Sequence, residues 1–119
     1  MKRVLIVDDE PDIAQLMKQL LEQAGFSAEY ALDARKGIKM IGRFDIVLLD
    51  LLMPQMSGQE FLAEAKKDGA NVPIIVVSAL VLGSEEKEAL SAKYPGVGFL
   101  SKLDIGKGLV NAVNARLRK

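Results

Sequence analysis

Residues 44–58 read FDIVLLDLLMPQMSG. Phe44 to Leu49 is a short apolar run rich in Ile, Val and Leu. It is too short for a typical helix and shows no polar alternation, so it reads as a strand buried on both faces. Asp50 follows at once, and Met53-Pro54 and Ser57-Gly58 then break the chain before a new helical pattern begins. A lone carboxylate makes poor structural filler at the C-terminal end of a buried strand. In open α/β sheets that edge is where ligands bind.

The same pattern repeats on either side of this stretch. Val4 to Val7 is a buried-type strand that runs into Asp8-Asp9-Glu10. Pro11 suits the first turn of a helix, whose stripe is Ile13, Leu16, Met17, Leu20 and Leu21, with Gly25 as its stop. Ser27 to Ala31 reads as a second strand with Tyr30 packing. Asp33 can cap a helix with Ile38 and Ile41 inward, which Gly37 weakens by up to roughly 1 kcal/mol against Ala. Beyond Asp50, Gly58 to Asp68 is helical, with Phe61, Leu62 and Ala65 on one face, and Gly69-Ala70-Asn71 is a turn. Pro73 leads into a fourth strand, Ile74 to Val77, ending at Ser78. Ser84 can cap a charged helix, Glu85 to Lys93, which reads as a solvated face. Tyr94-Pro95-Gly96 is a turn, and Val97 to Ser101 is a fifth strand ending at Lys102. Asp104 can cap the last helix, with Ile105, Leu109, Ala112, Val113 and Leu117 inward.

Strands alternating with helices imply a parallel sheet covered on both faces, in one domain over residues 1–119. Right-handed crossovers place all the strand C-termini on one edge. Along it fall Asp8, Asp9, Asp50, Ser78 and Lys102.

Composition narrows the chemistry available there. Lys plus Arg and Asp plus Glu both number 16, so bulk charge gives no reason to expect nucleic-acid binding. There is no Cys and no His, which excludes disulfides, thiol nucleophiles, a Ser-His-Asp triad and a typical zinc site. The apolar run behind Met1-Lys2-Arg3 is too short for a signal-peptide core, and no run reaches transmembrane length. A cytoplasmic location is expected.

Three carboxylates at one edge repel one another, by ~4 kcal/mol per pair at about 4 Å and an effective dielectric near 20. Lys102 is one cation against three anions, and a hard divalent ion would supply the missing charge. Asp oxygens, backbone carbonyl and water suit Mg²⁺. Such a site suits phosphoryl transfer, with Asp50 as nucleophile, Ser78 donating to a phosphoryl oxygen and Lys102 neutralising another.

Val-Asp-Asp-Glu-Pro at 7–11, Asp50-Leu-Leu-Met-Pro-Gln-Met-Ser-Gly58, Ser78-Ala79 and Lys102 together resemble the receiver domain of two-component response regulators, over the whole chain and in order. The resemblance implies a flavodoxin-like fold with strand order 2-1-3-4-5 and five helices. It implies transfer of phosphate from a phosphohistidine of a sensor histidine kinase, or from a phosphotransfer protein, onto Asp50. It further implies Mg²⁺ held by Asp8, Asp9, Asp50 and the backbone carbonyl of Leu52, with Asp8 acting chiefly through water. Ser78 and Phe99 would be switch residues that alter the face of helix four, strand five and helix five, where a downstream protein would dock. Leu52 and Leu80 would border the approach of hydrolytic water. The chain would then be a stand-alone, chemotaxis-regulator-like receiver, a monomer or weak homodimer. With no room for a further domain after Leu117, its output would be protein–protein contact.

Four departures from the family pattern are visible. Leu103 stands where Pro usually follows the Lys, so the peptide bond there is expected to be trans. Asp33-Ala34 replaces the usual Asp-Gly. Leu52 and Leu80 are both apolar, and the segment from Ser78 to Lys102 is slightly long, which would shift helix four. These departures leave room for a pseudo-receiver, a phosphorylation-independent binding module. An unrelated nucleotide or flavin binder would need a Gly-rich phosphate loop after strand one, where this chain has two acids. The bland readings of the same residues are Asp8 and Asp9 as caps of the first helix, Ser78 as a turn residue and Phe99 as an ordinary core aromatic.

Overall fold

The computed structural model describes residues 1–51, 56–67, 72–79 and 83–117. Five parallel strands form one sheet: β1 (Arg3–Val7), β2 (Ser27–Ala31), β3 (Ile46–Leu49), β4 (Ile74–Ser78) and β5 (Gly98–Ser101). Their order is β2-β1-β3-β4-β5, the flavodoxin-like order that the resemblance implies. The helices between and after them are α1 (Pro11–Gln23), α2 (Ala34–Met40), α3 (Gly58–Lys67), α4 (Ser84–Lys93) and α5 (Ile105–Leu117).

The apolar runs are strands because they are buried on both faces. All of β3 and β4 is buried, as is β1 from Val4 to Val7. Alternation then divides the core. Leu5, Val7, Val47 and Leu49 pack towards Phe61, Leu62 and Ala65 of α3. Val4, Ile6, Ile46 and Leu48 pack towards Ala14, Met17 and Leu21 of α1 and Ile105, Leu109 and Val113 of α5. Each fully buried side chain of this kind contributes about 1.5–3 kcal/mol.

Helix ends follow local chemistry. Gly25, at φ +95°, lets Phe26 N–H reach Leu21 O at 3.0 Å and Gly25 N–H reach Glu22 O at 3.1 Å, so α1 ends in a Schellman motif. Asp33 caps α2, accepting from the N–H groups of Arg35 and Lys36. Ser57 and Glu60 form a reciprocal capping box at the start of α3: Glu60 N–H donates to Ser57 Oγ, and Ser57 N–H donates to Glu60 Oε1.

Three sequence expectations need correction, and a fourth gains a packing cause. Leu16 is 42% exposed; α1 is centred on Ala14, Met17 and Leu21, which leaves Leu16 beyond the edge of the contact. Ser84 does not cap α4. The cap is Gly83, one residue earlier, and the Glu86 carboxylate accepts from Gly83 N–H. Asp104 ends a 3-10 turn over Lys102–Asp104, so α5 is entered through a tight turn capped by Ser101, whose side chain accepts from Leu103 N–H. Gly37 is more than a weak helix residue. A Cβ there would lie 2.8 Å from Val7 Cγ2, so the glycine sets how closely α2 approaches the sheet. The expected turn at Gly69-Ala70-Asn71 lies outside the described residues.

Candidate functional site

The strand ends deliver the acids as a group. Val7 pairs with Leu49, so Asp8 and Asp50 leave the sheet side by side. Backbone bonds keep them in place: Asp8 N–H donates to Ala31 O at 3.2 Å, and Asp50 N–H donates to Val7 O at 2.9 Å. Asp8 and Asp50 are buried and Asp9 is partly so. Each of the three offers a carboxylate oxygen within 4.8 Å of the others.

Gly58 shapes the far side of this corner. Its N–H bonds Leu51 O at 2.9 Å, and a Cβ on it would lie 2.6 Å from Leu51 Cα. Only glycine permits that approach of Gly58 to Leu51.

Ser78, the last residue of β4, is buried and pairs in register with Ser101 of β5. Lys102 follows directly. Its peptide bond to Leu103 is trans, as expected. Its Nζ lies 3.1 Å from Asp8 Oδ2, 3.4 Å from Asp50 Oδ2 and 2.7 Å from Glu10 Oε1. The contact with Asp8 Oδ2 is an ion pair without an aligned hydrogen bond. Burial by itself disfavours charge on Lys102. Close contact with the carboxylates of Glu10 and Asp8, with the attraction of Asp8 and Asp50, outweighs it and holds the pKa above its ordinary value.

The structure therefore brings Asp8, Asp9, Asp50 and Lys102 to one corner, with Ser78 at the neighbouring strand end. Glu10, the closest partner of Lys102, carries no role in the sequence reading. Its signal was its place as a third acid after β1. The capping alternative is met in part by Asp8, whose carboxylate bonds the N-cap N–H of α1 while also standing in the acidic corner. Glu10 is the N-cap of α1 and makes no side-chain cap, while Asp8 Oδ1 accepts from Glu10 N–H at 2.9 Å. Phe99 is partly buried on the α2–α3 side of the sheet, and the ammonium of Lys87 on α4 lies 5.9 Å from its ring centre. Leu52 and Leu80, the carbonyl ligand and water gate implied by the resemblance, lie outside the described residues.

The donor set fits a hard cation. Asp8 Oδ2 is buried without a hydrogen-bond partner, the clustered donors are all carboxylate oxygens, and the chain holds no His or Cys.

A doubly wound 2-1-3-4-5 sheet carrying an acidic corner and a lysine at the C-terminal strand ends is the architecture of the receiver class that the sequence resembles. The response regulator receiver domain model matches residues 4–114, and the chain belongs to that family. It is 31% identical to the transcriptional regulatory protein CpxR of Escherichia coli K12, over all of this chain and 50% of that protein. It is 38% identical over 79 residues to the transcriptional regulatory protein DltR of Streptococcus agalactiae, covering 65% of this chain and 35% of that one. The chain thus spans about half or less of the length of these curated relatives. Among solved structures, the Thermotoga maritima response regulator TrrA, in complex with Mg²⁺-BeF, superposes with TM-score 0.82 at 32% identity, covering 98% of this chain and 100% of that one. No helix among the described residues is long and apolar enough to cross a membrane.

Proposed function

We propose that this receiver domain, spanning residues 1–119, accepts a phosphoryl group on Asp50 from a sensor histidine kinase or phosphotransfer protein, and signals by altering the α4–β5–α5 face. One observation carries the reading: Asp8, Asp9 and Asp50 converge within 4.8 Å, with the Lys102 ammonium 3.4 Å from Asp50. An Asp50 oxygen forms the new P–O bond as the P–N bond of the donor phosphoimidazole breaks, and the electron pair stays on the departing nitrogen. Lys102 takes up charge on the transferred group, and the Ser78 hydroxyl donates to it. Mg²⁺ held by Asp8, Asp9 and Asp50, and by the Leu52 carbonyl on the family pattern, would neutralise the crowded oxygens during transfer. The bound Mg²⁺-BeF in TrrA supports this choice of ion. A cytoplasmic location and a downstream protein partner follow from the same reading.

The convergence of Asp8, Asp9, Asp50 and Lys102 counts against the pseudo-receiver alternative, which the Leu103 and Ala34 departures favour slightly. The test is intact mass after incubation with Mg²⁺ and acetyl phosphate. Wild type should gain one phosphoryl group, and Asp50→Asn or wild type in excess EDTA should gain none. Labelling of Asp50→Asn equal to wild type would place the acceptor elsewhere.

A further inference from the structure

Lys102 has three carboxylate partners, and their order is unexpected. Coulomb attraction is strongest where water is least, so the buried acids should hold the ammonium most closely. Instead the shortest contact, 2.7 Å, goes to Glu10, whose side chain is 58% exposed, and the longest, 3.4 Å, goes to Asp50, which is 4% exposed. Both ends of the Glu10–Lys102 bridge stand on fixed backbone. Glu10 N–H bonds Asp8 Oδ1, and Glu10 O accepts from Ala14 N–H. Lys102 opens the 3-10 turn capped by Ser101. The Glu10 carboxylate does no capping work for α1, so the helix leaves it free for this contact.

We propose that Glu10 is a positioning residue that holds the Lys102 ammonium at the rim of the acidic corner in the resting chain, a contact that opens before Lys102 can serve a group on Asp50. The inference rests on the phosphoryl-acceptor reading and goes beyond it. An ammonium has three donors, and three carboxylates lie around this one. To serve a phosphoryl oxygen on Asp50 the ammonium must move inward from the rim, and that move lengthens one of its contacts. The exposed Glu10 loses least, because water replaces the lost bond, whereas loss of the Asp8 contact would leave the buried Asp8 Oδ2 without its cation. Glu10 is therefore the partner that is exchanged, and its grip on Lys102 slows acceptance.

The test separates contact from charge. Glu10→Ala removes the carboxylate; Glu10→Asp keeps the charge but draws it back by one methylene. Two readouts are taken on each full-length protein, after circular dichroism confirms the fold. The first is site-resolved mass spectrometry of lysine acylation at limiting reagent without metal, with exposed Lys87 as internal reference. The second is the rate of phosphorylation by acetyl phosphate with Mg²⁺. Both variants should show Lys102 labelling and phosphorylation raised about three- to fivefold, the size of an exposed ion pair. Glu10→Asp matching wild type in both readouts would show that only the field of a negative charge matters, and would overturn the proposal. Unchanged labelling in both variants would overturn it too. A wild type that gains no phosphate would instead defeat the acceptor reading, while the labelling readout would still decide whether Glu10 holds Lys102.

Discussion

The two faces of the sheet are covered differently. On one, α1 buries Ala14, Met17 and Leu21, and α5 buries Ile105, Leu109 and Val113. On the other, α3 buries Phe61, Leu62 and Ala65, but its neighbour α4 has no buried residue, and only Leu90 packs partly against the core. Next to α4, Tyr94 is buried at its C-cap, and Lys66 of α3 donates to Lys93 O at 3.1 Å. α4 is therefore secured at its C-terminal end while the rest of it lies in water. Stability is concentrated where α1 and α5 sit. The helix that follows Ser78 has little burial to lose if it moves, in keeping with the role proposed for the α4–β5–α5 face.

The sharpest way to break this contrast is to truncate one leucine on each side. Leu109 is fully buried, so Leu109→Ala should cost about 2–5 kcal/mol in urea unfolding. Leu90→Ala should cost about 1 kcal/mol or less, because the side chain is already partly in water. Equal losses would mean that α4 contributes to the core as α5 does.

Two glycines refine the picture, because looseness belongs to α4 and not to its whole face. Gly37→Ala would drive a methyl to 2.8 Å from Val7 Cγ2, and should destabilise by about 1–3 kcal/mol despite better helix propensity. Gly106, near the start of α5, has open space around the position of a Cβ. Gly106→Ala should stabilise by roughly 0.5–1 kcal/mol. The two substitutions should thus shift the denaturation midpoint in opposite directions. A stabilising Gly37→Ala would show that α2 can draw back from the sheet as easily as α4.

These pairs also show what could be read from sequence. Strand runs such as Phe44–Leu49, of which Ile46–Leu49 forms β3, were legible because burial on both faces leaves no polar alternation, and their C-terminal residues located the corner. Propensity reports on the helix alone, so it gave no sign that Gly37 packs against Val7, thirty residues earlier in the chain. Leu16 satisfied the helical spacing, but spacing gives the width of a stripe and not where the neighbouring helix ends. Glu10 was overlooked as a partner of Lys102 because that contact joins residues 92 positions apart and depends on side-chain reach. Helix four kept its expected solvated character because Glu85 to Lys93 offers no apolar stripe.

The acidic corner, where the two faces meet, should respond to charge more than to packing. Asp50→Asn without metal removes one of the repelling acids and leaves Lys102 with Glu10 and Asp8. We expect a rise in melting midpoint of roughly 3–6 °C, as for about 1 kcal/mol in a domain of this size. Adding Mg²⁺ should raise the midpoint of wild type more than that of Asp50→Asn, because the variant has lost a ligand charge. A lower midpoint in metal-free Asp50→Asn would mean that its contacts outweigh the repulsion.

The smallest effect is a slope with pH. The folded-state pKa of Lys102 is raised above its unfolded value because its carboxylate partners outweigh its burial. A group raised in this way binds its proton more tightly in the native chain. Its contribution to stability is fully present below the unfolded value of about 10.4 and is lost as pH climbs through the higher folded value. Lys102→Met abolishes that contribution at every pH. The gap in urea midpoint between wild type and Lys102→Met should therefore be constant from pH 7 to 9 and narrow only above about 10.5. The α1–α5 core has no part in this, so Leu109→Ala should run parallel to wild type across the same range. A gap that widens between pH 7 and 9 would mean that the folded pKa of Lys102 is depressed, with burial winning over Glu10, Asp8 and Asp50. The corner would then be less well compensated than its distances indicate, and Glu10 could not be the firm partner from which Lys102 must be released.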